Sequence, residues 1–200
     1  MTRIVVASSN AGKLAEFRQL LGDAGIDCIA QGELDVGDIE ETGLSFVENA
    51  LLKARHAARV TGLPALADDS GLCVDALGGA PGLYSARYAG NHGDAEANID
   101  KLLAELANVP DEARTAHFIC VLAWLQHAED PQPIIIEGRW DGLILHARRG
   151  KGGHGYDPVF FDPTRAQSAA EMPPVLKNQL SHRGQAMKLL ADRLATFSGA

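Results

Sequence analysis

Arg3-Ile4-Val5-Val6-Ala7-Ser8-Ser9-Asn10-Ala11-Gly12-Lys13-Leu14 is a β-branched run that breaks into a small polar loop and then resumes an apolar pattern. Arg3–Ala7 reads as a buried strand. Leu14, Phe17, Leu20 and Leu21 recur at helical spacing, and Asn10 stands where a helix N-cap belongs. A strand that feeds a helix through a tight loop is the repeating unit of α/β sheets. The loop itself offers unpaired N–H groups, a positive dipole end, a glycine that allows close approach and the Lys13 ammonium, all suited to phosphate. It is not a Walker A loop, since Ala7 replaces the first glycine and Leu14 stands where Ser or Thr would hold magnesium. The alternative is an ordinary strand-to-helix turn with a solvated lysine.

Further along, Ser45-x-x-Glu48 forms a capping box. The helix that follows carries a stripe of Phe46, Ala50, Ala54, Ala57 and Ala58 and is stopped by Gly62 and Pro64. Ala65–Ala67 and Leu72–Val74 read as two short strands flanking the acidic corner Asp68-Asp69-Ser70-Gly71. A glycine-rich loop from Gly78 to Gly93 leads to a helix with Ile99, Leu102, Leu103 and Leu106. Strands are expected at Phe118–Leu125 and Ile134–Glu137, then a turn from Gly138 to Gly142 toward Leu143–Leu145. A second glycine-rich loop, Gly150 to Gly155, precedes Val159–Phe161, and Pro173-Pro174 separates it from one final helix. Strands alternate with helices early and follow one another directly in the middle, which predicts an α/β protein with a mixed sheet. No linker, repeat or low-complexity tract divides the chain.

The 200 residues hold 26 acidic and 18 basic side chains, a net charge of −8 that argues against nucleic acid or an anionic membrane as partner. The opening apolar run ends at Ser8, too brief for a signal-peptide core, and no stretch approaches the roughly 18 apolar residues of a membrane span. Cys28, Cys73 and Cys120 form no C-x-x-C pair, so a reduced cytoplasmic interior is expected.

Five places could carry chemistry. The Ser8–Lys13 loop is the first. At the second, Asp68 and Asp69 are adjacent and would point to opposite faces of a strand; acids there are costly to desolvate unless they meet a cation such as Mg²⁺. An Asx-type turn is the bland alternative. Third come Glu40 and Glu41 ahead of the capped helix, with Lys53 on it; helix-end acids and a snorkelling lysine explain these equally well. Fourth is Gly152-Gly153-His154-Gly155-Tyr156-Asp157-Pro158, where glycines permit close approach, a ring can stack on a base and Asp157 can accept hydrogen bonds, unless it is simply a flexible hairpin loop. The fifth joins Lys177 with Ser181-His182-Arg183-Gly184 at the start of the final helix. No histidine spacing suits zinc, and no G-x-S-x-G elbow is present. Phosphate-binding cations beside clustered carboxylates suit metal-assisted phosphoryl chemistry.

The segments Ser9–Lys13, Glu41–Ala50, Ala67–Leu72, Gly79–Tyr88, Gly155–Pro158 and Ser181–Arg183, in this order, resemble the Ham1-like inosine triphosphate pyrophosphatases, and within them the bacterial dITP/XTP-hydrolysing members. The resemblance implies an elongated mixed sheet flanked by helices, a single domain of two lobes with a central substrate cleft spanning 1–200, and a homodimer. It implies Mg²⁺-dependent hydrolysis of non-standard purine triphosphates (ITP, dITP, XTP) to monophosphate and pyrophosphate. Carried over, Ser8, Ser9, Asn10, Ala11, Gly12 and Lys13 line the triphosphate, and Lys13 and Lys53 neutralise it. Asp69 is general base and metal ligand, Glu41 its carboxylate partner with Glu40 as the alternative, and Asp68 supports the corner. Ser70, His154, Gly155, Tyr156, Asp157, Lys177, His182 and Arg183 contact substrate. His154 departs from the phenylalanine that many bacterial relatives stack on the purine; its charge can make base binding depend on pH near neutrality. Two other classes compete: a nucleotide-binding protein without turnover, which would not need the acidic corner, and a pyrophosphatase for modified pyrimidine triphosphates.

Overall fold

In the computed structural model, which describes residues 2–23 and 25–197, seven strands form one mixed sheet in the order β2-β1-β3-β4-β5-β6-β7. The strands are β1 (Thr2–Ala7), β2 (Ile26–Ala30), β3 (Ala65–Val74), β4 (Thr115–Leu125), β5 (Ile134–Ile144), β6 (Phe160–Asp162) and β7 (Gln167–Ser168). The helices are α1 (Ala11–Asp23), α2 (Phe46–Thr61), α3 (Ala95–Glu105), α4 (Pro174–Leu180) and α5 (His182–Phe197). β1 runs parallel to both β2 and β3, while β6 is antiparallel to β5 and to β7. The expected mixed α/β sheet is therefore present.

By contacts along the backbone the chain divides into two compact units. The first comprises Met1–Asp69, Cys120–Gly138 and Gln185–Ala200, the second Ser70–Ile119 and Arg139–Gly184. Each is assembled from separated pieces of chain, which is why no linker shows in the sequence. In the first unit Ile4, Val6, Leu66, Cys120, Leu122 and Trp124 form a core with Phe17 and Leu21 of α1 and Ala186, Met187, Leu190 and Leu194 of α5. α2 packs on β1 through its small-residue stripe, with Ala50, Ala54, Ala57 and Ala58 all buried. Ser45 caps α2 as its box predicts, accepting from the Glu48 amide at 3.3 Å, and Gly62 ends it in the left-handed region at φ 68°. In the second unit Leu72, Val74, Ile99, Leu102, Leu106, Phe118, Trp140, Ile144, Tyr156 and Phe160 form the core.

Several local readings are corrected. β3 is one ten-residue strand, not two short ones around a corner. β5 likewise runs unbroken through Gly138–Gly142. A Cβ on Gly142 would stand 2.5 Å from the Phe161 carbonyl, so this glycine serves close packing of β6 rather than a turn. β2 and β7 are strands that the sequence reading missed. The final helix is two helices, because Ser181 is extended at φ −62°, ψ 151° between α4 and α5. Lys177 thus belongs to α4, not to the start of the last helix.

Asp162 anchors the turn after β6. Its buried carboxylate accepts from Trp140 Nε1 (3.1 Å), Thr164 N (2.8 Å), Thr164 Oγ1 (2.6 Å) and Arg165 N (3.3 Å). Burial raises its pKa, but these hydrogen bonds outweigh burial and hold it below the ordinary 3.8. A depressed folded pKa contributes stability that is present above about pH 4 and drains away as pH falls through the folded value. Asp162→Asn should therefore cost about 2 kcal/mol in urea unfolding at pH 7, and the variant should show a shallower loss of stability than the parent below pH 4.

Candidate functional site

The site residues fall into two groups, one in each unit. In the first unit, β1 ends at Ala7 and the chain turns into α1. The Asn10 side chain accepts from the Lys13 amide at 3.1 Å, the Asn10 carbonyl from Leu14 at 3.0 Å, and Ser8 Oγ from the Asn10 amide at 3.2 Å. The expected N-cap is in place, with the loop drawn tightly over the helix end. Lys13 is not a solvated lysine: its ammonium donates to Asp68 Oδ2 at 2.6 Å.

Asp68 and Asp69 lie within β3 at 2% and 9% exposure. Successive strand residues point to opposite faces, and the two acids accordingly meet different cations. Asp68 takes Lys13, whereas Asp69 Oδ1 takes the Lys53 ammonium at 2.9 Å. Lys53 also donates to Glu41 Oε1 at 2.7 Å, so the snorkelling reading of Lys53 is overturned. An Asx turn is overturned with it, because the acids sit in regular strand whose desolvation two lysines offset. Glu41 joins this cluster and Glu40 is exposed. Burial disfavours the Lys53 ammonium, but the Asp69 charge and the two carboxylate hydrogen bonds outweigh it and raise its pKa, so it is firmly charged. Burial also lifts the Asp69 carboxyl above its usual range, against the pull of Lys53. A carboxylate so placed is a stronger proton acceptor than an exposed one.

Glu41 and Asp69 converge on one cation, here an ammonium. Two carboxylates directed at a common point, together with the oxygens of a bound phosphate, make the donor set that Mg²⁺ prefers. Among the described residues no group of three or more His, Cys, Asp or Glu gathers into an all-protein metal cage. Glu41 and Asp69 thus suit a hard divalent ion whose remaining ligands come from a bound phosphate.

In the second unit the Gly150–Gly155 loop is held, not a flexible hairpin. Asp157 is buried; its Oδ2 accepts from the His154 amide at 2.7 Å and from the Lys177 ammonium of α4. Gly153 has φ 75°, and a Cβ there would stand 2.1 Å from that same oxygen. The His154 side chain is 78% exposed above this anchored backbone. The His182 ring stacks on Phe118, with centroids 4.8 Å apart and planes 13° from parallel. Arg183 Nη2 reaches Ser70 Oγ at 3.5 Å. Gly184 admits the tight α4–α5 junction, since a Cβ would meet the Asn178 carbonyl at 1.6 Å.

Sequence reasoning missed the braces behind this loop. Tyr156 Oη donates to the Ser85 carbonyl at 2.8 Å, and buried Asn98 donates to the Ser85 and Ala86 carbonyls at 3.4 and 3.3 Å while accepting from the Ala89 amide at 2.7 Å. Ser85 belongs to a recognisable motif; Asn98, inside a helix, gives no local signal.

A profile of the Ham1 family matches residues 4–193. Over 198 residues the chain is 60% identical to a Xanthomonas campestris pv. campestris protein named dITP/XTP pyrophosphatase, covering 99% of this chain and 100% of that one. A Pectobacterium atrosepticum protein of the same name is 58% identical over 194 residues, covering 97% and 98%. A HAM1 protein structure from Coxiella burnetii superposes with a TM-score of 0.95 at 51% identity, covering 98% of this chain and 100% of that one.

Proposed function

The chain belongs to the Ham1 family, and from that premise we propose that it hydrolyses non-standard purine nucleoside triphosphates, ITP, dITP and XTP, to the monophosphate and pyrophosphate, removing them from the nucleotide pool. It is a nucleoside triphosphate pyrophosphatase, in keeping with relatives named for dITP and XTP. One observation carries hydrolysis over mere binding. The acids Asp69 and Glu41 are drawn together around Lys53, and a protein that only held a nucleotide would need the cations without them.

In this reading Ser8, Ser9, Asn10, Ala11 and Gly12 line the triphosphate at the α1 N-terminus, where backbone N–H groups and the dipole favour anions. Lys13, aimed by Asp68, neutralises phosphate charge, and Lys53 does so beside Asp69. Asp69 accepts the proton of the water that attacks the α-phosphorus. The new P–O bond forms as the α–β bridging bond breaks, and pyrophosphate carries away the electron pair. Glu41 and Asp69 would hold Mg²⁺, which when bound supplies neutralisation of the developing phosphate charge. Ser70, Lys177 and the His154-Gly155-Tyr156-Asp157 loop contact the nucleotide, with His154 against the base. His182 and Arg183 donate to the six-position oxo group. Adenine, which presents an amino group there, leaves those donors unpaired, a penalty that supports selectivity. The setting is cytoplasmic and the active form a homodimer. Among the described residues no helix is long and apolar enough to cross a membrane.

A rate panel with purified protein, Mg²⁺ and ITP, XTP, GTP, ATP and UTP tests the proposal. ITP and XTP should exceed ATP in kcat/KM by at least a hundredfold through the oxo group, and should exceed GTP because its two-amino group is absent from both, with pyrophosphate as co-product. Equal rates across the panel would refute selection by the purine oxo group, and bound ITP without turnover would refute hydrolysis.

A further inference from the structure

The Ser8–Lys13 loop contains one side chain whose hydrogen bonds point away from its neighbours' task. Ser9 Oγ donates to Asp38 Oδ1 at 3.1 Å and accepts from Gln31 Nε2 at 3.1 Å, and Gln31 Nε2 also donates to Asp38 Oδ1 at 2.7 Å. Gln31, at 7% exposure, is the buried hub of this triangle. A hydroxyl has one proton to give. Phosphate oxygens only accept, so a serine whose proton is committed to a carboxylate has none for a phosphate. Ser9 therefore differs from Ser8, whose oxygen merely accepts from the Asn10 amide and whose proton is uncommitted to that bond.

What the triangle holds is the irregular segment that carries Glu41. Residues 36–45 form neither helix nor strand. The segment is tied at Val36, whose amide donates to the Gln31 carbonyl at 3.1 Å, and at Gly37, whose carbonyl lies 3.0 Å from His56 Nε2. It is tied again at Gly43, whose amide donates to Asn49 Oδ1 at 2.8 Å. Glu41 therefore rides on a short span whose near end is fixed by Asp38 and whose far end is fixed by Gly43. Among the described residues, Asp38 ties that span to the β1–α1 loop through Ser9.

We propose that Gln31, Ser9 and Asp38 form a latch that sets the acid-bearing segment in register with the phosphate-binding loop, so that Glu41 is already aligned when a polyphosphate arrives. The three are positioning residues, and none touches the substrate through its side chain. The inference rests on the pyrophosphatase reading for its link to turnover, but not for the latch itself, which pyrophosphate binding and hydrogen exchange report independently of any nucleotide. It also separates a bond from a charge. Both donors of the triangle address Asp38 Oδ1, an atom that asparagine retains as its amide oxygen. A carboxylate that acted as a metal ligand or as a bare charge would not survive that replacement.

The experiment compares Asp38→Ala, Asp38→Asn, Gln31→Leu and the double variant Gln31→Leu/Asp38→Ala with the parent protein. Three quantities are read: steady-state kcat and KM for ITP, calorimetric Kd for inorganic pyrophosphate with Mg²⁺, and amide hydrogen exchange of residues 39–42 without nucleotide. Asp38→Ala should raise KM and the pyrophosphate Kd about tenfold, lower kcat no more than about threefold, and speed exchange at 39–42 at least tenfold. Asp38→Asn should restore all three to within about threefold of the parent. The double variant should be no worse than Asp38→Ala, which already removes both bonds that tie Asp38 to the triangle, including the one Gln31→Leu removes. If Asp38→Asn is as impaired as Asp38→Ala, the charge matters and the latch is wrong. The latch is equally overturned if Asp38→Ala leaves exchange and pyrophosphate affinity unchanged, or if the two single effects multiply. A parent protein that fails to hydrolyse ITP yet shows the exchange and pyrophosphate responses would sink the nucleotide assignment and leave the latch standing.

Discussion

Asp69→Asn should lower kcat for ITP about a thousandfold and change substrate affinity by no more than a few fold. Asparagine has nearly the same shape and keeps an oxygen for the Lys53 ammonium, which now lies 2.9 Å from Asp69 Oδ1. What it lacks is the capacity to take a proton. General-base assistance is typically worth 10²–10⁴ in rate, and a loss confined to kcat marks an interaction realised in the transition state. The adjacent Asp68→Asn is the informative comparison. Asp68 points the opposite way and meets Lys13, so its removal should appear mainly in KM, through a lysine no longer aimed at phosphate. Steady-state kinetics on both variants, with calorimetry for affinity, decide the matter. Near-normal kcat in Asp69→Asn would remove Asp69 from the role of base.

The second large effect is expected at Asp157, and there it should fall on KM. Asp157→Ala should raise KM for ITP about a hundredfold, or about 2.7 kcal/mol, with kcat within about tenfold of the parent. The buried carboxylate holds both the His154 amide and the Lys177 ammonium. Without it the loop loses its internal acceptor, and a partly buried lysine keeps its charge with no counter-ion, the costly way to break such a pair. Gly153, at φ 75° in a conformation other residues rarely adopt, leaves the space beside the Asp157 carboxylate that a Cβ would fill. Near-ultraviolet circular dichroism would distinguish a loosened loop from a collapsed fold. A variant that is folded and binds ITP normally would remove the loop from the nucleotide's surroundings.

What the sequence disclosed and what it withheld divide along one physical line. α2 was legible because its capping box, alanine stripe and terminal glycine are all local. β3 was misread because Asp-Asp-Ser-Gly carries turn chemistry locally, while the lysines that let two acids remain in a strand lie 55 and 16 residues away. Gly138 and Gly142 misled in the same way, since the need for a small residue at Gly142 comes from a strand added later in the chain. β2 and β7 are short and weakly patterned. At the site, residue types were readable and pairings were not. Lys53 looked like a stem lying along an alanine face, and only the fold brings Glu41 and Asp69 to its ammonium.

The unbroken course of β3 has a further consequence, for how this activity could drift over generations. Asp69 lies inside regular strand whose residues are nearly all buried, so changes of size among its neighbours disturb close packing. The acid-bearing segment at 36–45 and the glycine loop at 150–158 have no such ladder to satisfy. Outside Asp38, Glu41 and Asp157, those two stretches can therefore change with less disturbance to packing than β3 can.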